Sequence, residues 1–164
     1  THGAVEEPNP YVITGIAGRL GFSVISVEKA MMNGEVGFGR KVLQAVEEFG
    51  LSFEHMPTGI DTMCVVLSTA ELEPVKEQLT RRIWESTNPD TLTIHDNMGI
   101  IATVGRGMVH NPGTAARLFA ALSRYHINVR MIDQGSSELS ILVGVDSGEF
   151  QQAIRAIYDE FVSE

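Results

Sequence analysis

Apolar and polar residues alternate along the chain in two rhythms, one typical of strands and one typical of helices. Residues 23–29 alternate with a period of two, which predicts a half-buried strand. Residues 36–49 place Phe38, Val42 and Val46 at helical spacing, which predicts an amphipathic helix. The same reasoning predicts strands at 51–56, 62–67 and 91–95 and a helix at 70–85. The resulting order, β-α-β-β-α-β, is the split βαβ arrangement of ferredoxin-like folds.

The order of elements repeats about seventy-five residues further along, which indicates an internal duplication. The second copy has predicted strands at 99–104, 127–132 and 138–145 and predicted helices at 113–126 and 149–161. Helical spacing predicts that the first of these helices buries Leu118, Phe119, Leu122 and Tyr125.

One strand is left over at the start of the chain and one is missing at its end. The second copy ends after its second helix, whereas the strand predicted at 11–16 has no place in the first copy. Since an unfilled position would leave a sheet edge open, we expect strand 11–16 to fill it. The expected fold is α+β, with two ferredoxin-like βαββαβ units that have antiparallel sheets and helices on one face. The first unit, 22–96, is then inserted into the second, 11–18 plus 97–164.

The first ten residues, THGAVEEPNP, are small, polar and acidic and include two prolines, which predicts a linker over 1–10. Because the chain starts in such a segment without a methionine, we expect it to belong to a longer protein. No apolar run is long enough to span a membrane, and the first residues do not have the pattern of a signal peptide.

Charge and cysteine content exclude several kinds of partner and site. The net charge is −9 and the pI about 5.0, which disfavours nucleic acid and anionic membranes as partners because both need basic patches. Cys64 is the only cysteine, so the chain forms no internal disulfide and no metal site built from cysteines. A single cysteine fits a reducing compartment, and the expected localisation is cytoplasmic.

Residues 31–61 carry the strongest functional signal. Gly37 and Gly39 let backbone N–H groups approach a ligand, and the helix start behind them presents unpaired donors and a positive dipole end. The following strand brings Ser52 and Glu54 beside this loop. The loop suits a carboxylate, and the acidic residue next to it suits an ammonium group. Together they predict a site for a free amino acid. On local sequence alone, an ordinary strand–turn–helix connection is the alternative.

The sequence contains no recognisable catalytic or metal-binding motif. A phosphate loop, a nucleophile elbow and a zinc-binding HExxH motif are all absent, and the five histidines are scattered without metal spacing. Cys64 lies in an apolar strand and is expected to behave as a small hydrophobic residue. We therefore expect no catalytic residues, no metal site and no cofactor in this segment. A stand-alone interaction or assembly module is the alternative to ligand binding, and an enzyme of unrecognised type is a third.

The chain resembles the ACT domain, a family that binds amino acids and regulates metabolic enzymes. The resemblance rests on the duplicated unit, on its glycines between the first strand and the helix, and on the missing catalytic set. More narrowly, two segments resemble the C-terminal regulatory half of the aspartokinases. They are ISVEKAMMNGEVGFGRKVLQAVEEFGLSFEHMPTGID and NVRMIDQGSSELSILVGV. VITGIA resembles the strand that leads into that half, so the resemblance covers about residues 11–162. The K-F-G-G-T/S-type motif of the kinase domain is absent from this sequence.

This resemblance implies an allosteric role. Members of the family bind an end-product amino acid, lysine in many and threonine in others, for feedback inhibition of aspartate phosphorylation in the lysine, threonine and methionine pathway. It also implies a homodimer formed through the first unit, with the effector at the interface. The kinase domain of the parent chain would use ATP and Mg.

The resemblance further implies where the effector binds. Its carboxylate would meet the backbone N–H groups of residues 37–39, and its α-amino group would lie near Met31 or Met32 and strand 52–54. Glu54 matches an acidic position of the family that would hold a lysine ε-ammonium, with Asp61 as the second candidate. The loop departs from one lysine-sensitive pattern by an extra residue and by Asn33-Gly34 in place of His-Ser. The expected effector-binding residues are Met31, Met32, Asn33, Gly34, Val36, Gly37, Phe38, Gly39, Ser52, Phe53, Glu54 and Asp61. A second, mainly structural site would comprise Met108, Asn111, Gly113, Thr114, Asn128 and Val129.

Overall fold

A computed structural model describes residues 13–105, 113–134 and 140–162, without the side chain of Asn33. Within these ranges the chain forms six strands and five α-helices. The strands are β1 (Gly15–Glu28), β2 (Phe53–His55), β3 (Thr62–Ser68), β4 (Thr91–Val104), β5 (Val129–Gln134) and β6 (Ser140–Asp146). The helices are α1 (Phe38–Glu48), α2 (Thr69–Leu72), α3 (Lys76–Thr87), α4 (Thr114–Arg124) and α5 (Phe150–Phe161).

The chain divides into two compact units. The first unit is Leu20–Gly99, and the second unit combines the residues up to Arg19 with those from Ile100 onward. The strand order β2-β3-β1-β4-β6-β5 gives the first unit the order β2-β3-β1-β4 and the second the order β1-β4-β6-β5. Each is the antiparallel order of a ferredoxin-like unit. The α+β fold with the first unit inserted into the second is therefore confirmed.

Two pairs of strands that the sequence predicts as separate are continuous. The predicted strands at 11–16 and 23–29, of which residues 11 and 12 lie outside the described residues, correspond to the single strand β1. Those predicted at 91–95 and 99–104 correspond to β4. The prediction of separate strands was wrong because each continuous strand contains only one residue with left-handed backbone. This residue is Gly21 at φ 88° in β1 and Asn97 at φ 57° in β4. Such a residue kinks a strand locally without ending it.

The helix predicted at 70–85 is interrupted. Helix α2 ends at Leu72, a 3₁₀ turn covers Glu73–Val75, and α3 then runs from Lys76 to Thr87. Pro74 explains the interruption because it has no N–H to donate to the preceding turn. The prediction of one uninterrupted helix was therefore wrong, although Leu72 and Leu79 are both fully buried as its periodicity requires.

Each unit has its own apolar core. In the first unit α1 packs against α3, and Val42, Leu79 and Ile83 are fully buried with residues of β1 and β3. In the second unit α4 packs against α5, and Leu118 and Leu122 are buried in the same way.

The prediction that Tyr125 is buried was wrong, because it is 39% exposed. Tyr125 lies just past the end of α4. Its hydroxyl donates a hydrogen bond to Asp159 Oδ2 at 3.0 Å. A tyrosine places its polar tip where it finds a partner, and here that partner lies on the outer face of α5.

Candidate functional site

The loop between β1 and α1 is held by two carboxylates and one backbone carbonyl. The Met31 N–H donates to Asp61 Oδ1 at 3.1 Å, and the Ala30 N–H donates to Asp90 Oδ2 at 2.8 Å. The Lys29 N–H donates to the carbonyl oxygen of Asp61 at 3.0 Å. Met31 has φ 61°, a left-handed conformation that costs a non-glycine residue energy. These bonds fix the loop in this conformation.

Helix α1 begins without a side-chain cap. Its N-cap residue is Gly37, at φ 80° and ψ 9°, and no side chain bonds to the amides of the first turn. The first amides of any helix have no intrahelical acceptor. Phe38 anchors this turn because its ring is buried in the first unit. No described side chain caps the start of α1, although the Phe38 N–H donates to the backbone carbonyl of Glu35 at 3.4 Å.

The start of α1 borders a cavity of about 390 Å³. Its lining combines apolar residues of the core with residues of the helix start and of the turn before β3. Two charged residues, Glu35 and Arg40, are also among the lining residues. The lining residues are Met32, Glu35, Gly37, Phe38, Gly39, Arg40, Met56, Thr58, Gly59 and Met63.

Arg40 brings a guanidinium to the start of α1. Its Nη1 donates to Gln44 Oε1 at 3.0 Å, and its Nε lies 3.8 Å from where a Cβ on Gly37 would stand. A guanidinium offers several N–H donors in one plane, which suits a carboxylate. Arg40 and the helix dipole therefore favour an anion at this end of the cavity.

Glu35 brings the opposite charge to the same cavity. Its Oε2 lies 2.7 Å from Lys29 Nζ, and its Oε1 lies 3.8 Å from Lys41 Nζ. The hydrogen bond from Lys29 is the main reason that the pKa of Glu35 lies below its ordinary value. Lys29 Nζ also donates to the carbonyl of Thr87 at 2.7 Å and lies 5.8 Å from the centre of the Phe38 ring. The carboxylate is therefore ionised and held in place.

The predicted effector-binding residues fall into two groups. Met32, Gly37, Phe38 and Gly39 line the cavity, whereas the others described do not. Of those others, Met31 and Val36 have highly exposed side chains on the same loop, and Gly34 is exposed beside them. Ser52, Phe53, Glu54 and Asp61 are also exposed and lie on or near β2 and the turn before β3.

Strand β2 ends the strand order of the first unit. Phe53 pairs with Leu67 and His55 pairs with Val66, so Glu54 lies at a bulge in this ladder. One flank of β2 is hydrogen-bonded to β3, and its other flank is the terminal edge of the order. An exposed edge strand offers unpaired backbone groups to another strand.

Sequence reasoning missed six residues that line the cavity. Glu35 and Arg40 supply its charges, and Met56, Thr58, Gly59 and Met63 supply the opposite wall. A signal for Glu35 was present, since an acidic residue two positions before the cap glycine is close to the helix start. The wall residues carry no local signal, because the turn is held against β3 by the pairing of Thr58 with Met63 and β3 in turn lies next to β1.

The described residues of the predicted second site lie near the two ends of α4. Met108 and Asn111 lie outside the described residues. Gly113 is the N-cap of α4 at φ 86°, and Thr114 is buried next to it. Asn128 and Val129 lie at the other end of α4, beside a cavity of about 490 Å³. The Asn128 N–H donates to Glu149 Oε2 at 3.1 Å.

Among the described residues, no group of three or more His, Cys, Asp or Glu side chains is arranged to hold a metal ion. No helix in the described ranges is long and apolar enough to cross a membrane. Cys64 is half-buried, and its thiol lies 3.7 Å from Ser26 Oγ.

Comparison with known proteins finds relatives of this chain. Residues 101–161 match a family model described as ACT domain. Aspartokinase 3 of Bacillus subtilis is 42% identical over 150 residues, which are 91% of this chain and 33% of that protein. Residues 101–161 are thus similar to ACT domains, and 91% of the chain is similar to an aspartokinase. The chain spans about a third of the length of the aspartokinase that it matches.

Solved structures of aspartate kinases are also similar to this chain. The aspartate kinase of Clostridium acetobutylicum has a TM-score of 0.88 at 44% identity, covering 96% of this chain and 37% of that one. The regulatory subunit of aspartate kinase from Thermus flavus has the same fold, with a TM-score of 0.75 at 19% identity, covering 91% of this chain and 98% of that one. The chain is thus homologous to a segment of about a third of the length of these aspartokinases.

Proposed function

We propose that this chain is the allosteric region of an aspartokinase and that its first unit binds an end-product amino acid for feedback inhibition of aspartate phosphorylation. Lysine is the favoured effector and threonine the alternative. The observation that carries the proposal is the cavity at the start of α1, where Arg40 and Glu35 oppose each other in charge. A free amino acid carries a carboxylate and an ammonium on one carbon, which is the complementary arrangement. ATP and Mg belong to the kinase domain of the parent chain in this proposal.

The carboxylate of the effector binds at the start of α1. The uncapped amides of the first turn donate to it, and Arg40 supplies the matching positive charge. Phe38 holds the turn in place from the core side. Gly37 and Gly39 keep this approach free of side chains. This half of the site serves any free amino acid and does not select among them.

Selection for lysine needs an acceptor for the ε-ammonium. Glu54 fits this role by its exposure on β2, with Asp61 as the second candidate, although Asp61 already accepts the Met31 N–H. Glu54 reaches the ligand from a second copy of the chain in a homodimer joined through the β2 edges. The exposed apolar side chains near this edge are consistent with such an interface, namely Met31, Val36, Phe53 and Ile60.

Binding regulates by shifting an equilibrium between two arrangements of the parent enzyme. A ligand can shift it only by the difference between its affinities for the two states. Escherichia coli aspartokinase III, which shares the fold, has been solved in a T-state in complex with lysine and aspartate and in an R-state with aspartate and ADP.

The deciding experiment measures binding to this chain by calorimetry and thermal shift with L-lysine, L-threonine and L-methionine, with D-lysine as control. A ligand at a hundred times its Kd stabilises the folded state by about 2.7 kcal/mol, which raises the melting temperature. We expect L-lysine to raise it most and D-lysine to leave it unchanged. If none of the three L-amino acids stabilises the protein at millimolar concentration, the proposed function is wrong.

A second candidate is an assembly module that dimerises through β2 without binding an amino acid. The open flank of β2 is the observation that favours it. A dimer in light scattering that forms without any amino acid, combined with no thermal response to the three ligands, would support this alternative.

A further inference from the structure

The turn between α3 and β4, residues 88–90, has a well-fixed backbone. Asn88 ends α3 in a left-handed conformation at φ 45°, and its N–H donates to the carbonyl oxygen of Trp84 at 2.9 Å. Pro89 is buried, and its ring fixes its own φ angle. Asp90 follows with an exposed side chain. The turn therefore presents the carboxylate of Asp90 from a rigid support.

Asp90 binds the end of β1 with two groups. Its N–H donates to the carbonyl oxygen of Glu28 at 2.8 Å. Its Oδ2 accepts the N–H of Ala30, also at 2.8 Å. Glu28 is the last residue of β1, and Ala30 belongs to the loop that leads to α1. The side chain of Asp90 thus continues the hydrogen bonding of β1 by one bond into this loop.

The bond to Ala30 matters because the next residue is strained. Met31 has left-handed backbone at φ 61°, which costs energy for a residue with a side chain. The N–H groups of Ala30 and Met31 are both held by carboxylates, those of Asp90 and Asp61. Met32 follows, is buried, and lines the cavity at the start of α1, whereas Asp61 and Asp90 do not line it. The loop conformation that brings Met32 to the cavity is therefore fixed from outside the cavity.

We propose that Asp90 is a positioning residue for the effector: its carboxylate holds Ala30, so that the loop keeps the conformation in which Met32 lines the cavity. This proposal rests on the proposed function, because it concerns the loop of the same site. Asp90 makes no contact with the bound amino acid in this proposal. It acts on the free protein, since the apparent affinity of a ligand falls with the fraction of molecules whose site has the binding conformation.

A residue that acts in this way affects all effectors alike. Without the Asp90 carboxylate, a smaller fraction of the free protein has the binding conformation, so the Kd values of L-lysine and L-threonine rise by the same factor. A hydrogen bond of ordinary net strength corresponds to about a threefold to tenfold change. The expectation for Glu54 is different, because only lysine has the ε-ammonium assigned to it.

The test measures both Kd values by calorimetry for the wild-type chain, Asp90→Ala and Asp90→Asn. In Asp90→Ala both values should rise by the same factor, about threefold to tenfold. In Asp90→Asn the side-chain carbonyl oxygen can still accept the Ala30 N–H, so both values should return to those of the wild type. This rescue separates the role of the acceptor from that of the negative charge.

Thr91→Val is the matched control. Thr91 is the next residue along the chain and is exposed like Asp90, and its Oγ1 donates to Glu28 Oε2 at 3.0 Å. The substitution removes one hydrogen bond beside the turn but none to the backbone of the loop. In urea denaturation Asp90→Ala and Thr91→Val should show similar, small losses of stability, because each loses one exposed hydrogen bond. Only Asp90→Ala should also lose affinity for the amino acids.

Four results would overturn the proposal while leaving the proposed function intact. Asp90→Ala binds both amino acids as the wild type does, or it weakens only one of them, or Asp90→Asn binds as weakly as Asp90→Ala, or Thr91→Val weakens both as much as Asp90→Ala. Failure of the proposed function is distinguishable from all four, because the wild type would then bind no L-amino acid.

Discussion

The substitution Gly37→Ala separates the structural from the functional role of the turn before α1, because the fold supplies its own control. Gly37 caps α1 at φ 80° and ψ 9°, and Gly113 caps α4 at φ 86° and ψ 2°. Among the described residues, a Cβ at Gly37 would meet only Arg40 Nε at 3.8 Å, and one at Gly113 would meet nothing within 4 Å. Neither alanine clashes, so both substitutions test backbone strain in the same conformation.

The cost of each substitution follows from this geometry. Left-handed backbone costs a non-glycine residue about 1–2 kcal/mol. Alanine recovers about 0.4–1 kcal/mol of this because it has fewer unfolded conformations than glycine. Each variant should thus lose roughly 0.5–1.5 kcal/mol of unfolding free energy, measured by urea denaturation at a common m-value.

Ligand affinity should distinguish the two variants. In Gly37→Ala a methyl group stands where the carboxylate approaches the amides, and the loss of one charged hydrogen bond weakens L-lysine about tenfold or more. Gly113→Ala should bind L-lysine as the wild type does. Equal affinities of the two variants would refute the assignment of the carboxylate to the start of α1. A stability loss in only one of them would refute the argument from backbone strain.

Three further predictions test other parts of the molecule. Glu54→Ala should weaken L-lysine more than L-threonine in calorimetry, and equal losses would exclude an ε-ammonium role. Leu79→Ala should cost about 2–5 kcal/mol of unfolding free energy in urea, because Leu79 is fully buried in the first unit; a loss below about 1 kcal/mol would contradict that packing. Hydrogen bonds from Arg117 and Arg124 hold the pKa of Glu160 below its ordinary 4.5. The stability that the ionised carboxylate gives the folded protein is therefore present above pH 4.5 and is lost as the pH falls through the lower pKa of the folded state. Glu160→Gln should therefore lose less stability than the wild type between about pH 6 and pH 3, and parallel losses would contradict this pairing.

Periodicity predicted the order of elements because burial is decided locally. The apolar positions of α1 and α4 lie at helical spacing, and the same positions are buried in the structure. The exceptions have identifiable causes. The strands at 11–16 and 23–29 were predicted as separate, but the hydrogen-bonded strand β1 passes through Gly21 in its left-handed conformation. Pro74 divides a helix whose apolar spacing continues unchanged across the interruption.

The candidate site was predictable only where it depends on one segment. The glycines and the helix start are adjacent in sequence, so their shared role could be inferred. The wall opposite them is formed by the turn before β3, which is close to α1 only because β3 lies next to β1. Arg40 is exposed on α1, and its Nε also lies 3.8 Å from where a Cβ on Gly37 would stand. A side chain in the first helical turn can reach the cap even when its Cβ faces outward.

The duplication shows that the fold alone does not make the site. Both units begin their first helix with a glycine in nearly the same conformation, and both helices have eleven residues. The third residue after the cap is Arg40 in the first unit and Ala116 in the second, and the second residue is Gly39 in one and Ala115 in the other. The first unit therefore has a cation and open backbone where the second has two methyl groups. In the proposed function, the backbone of the first unit binds a carboxylate and that of the second only packs, so the proposed role of each unit depends on these few side chains.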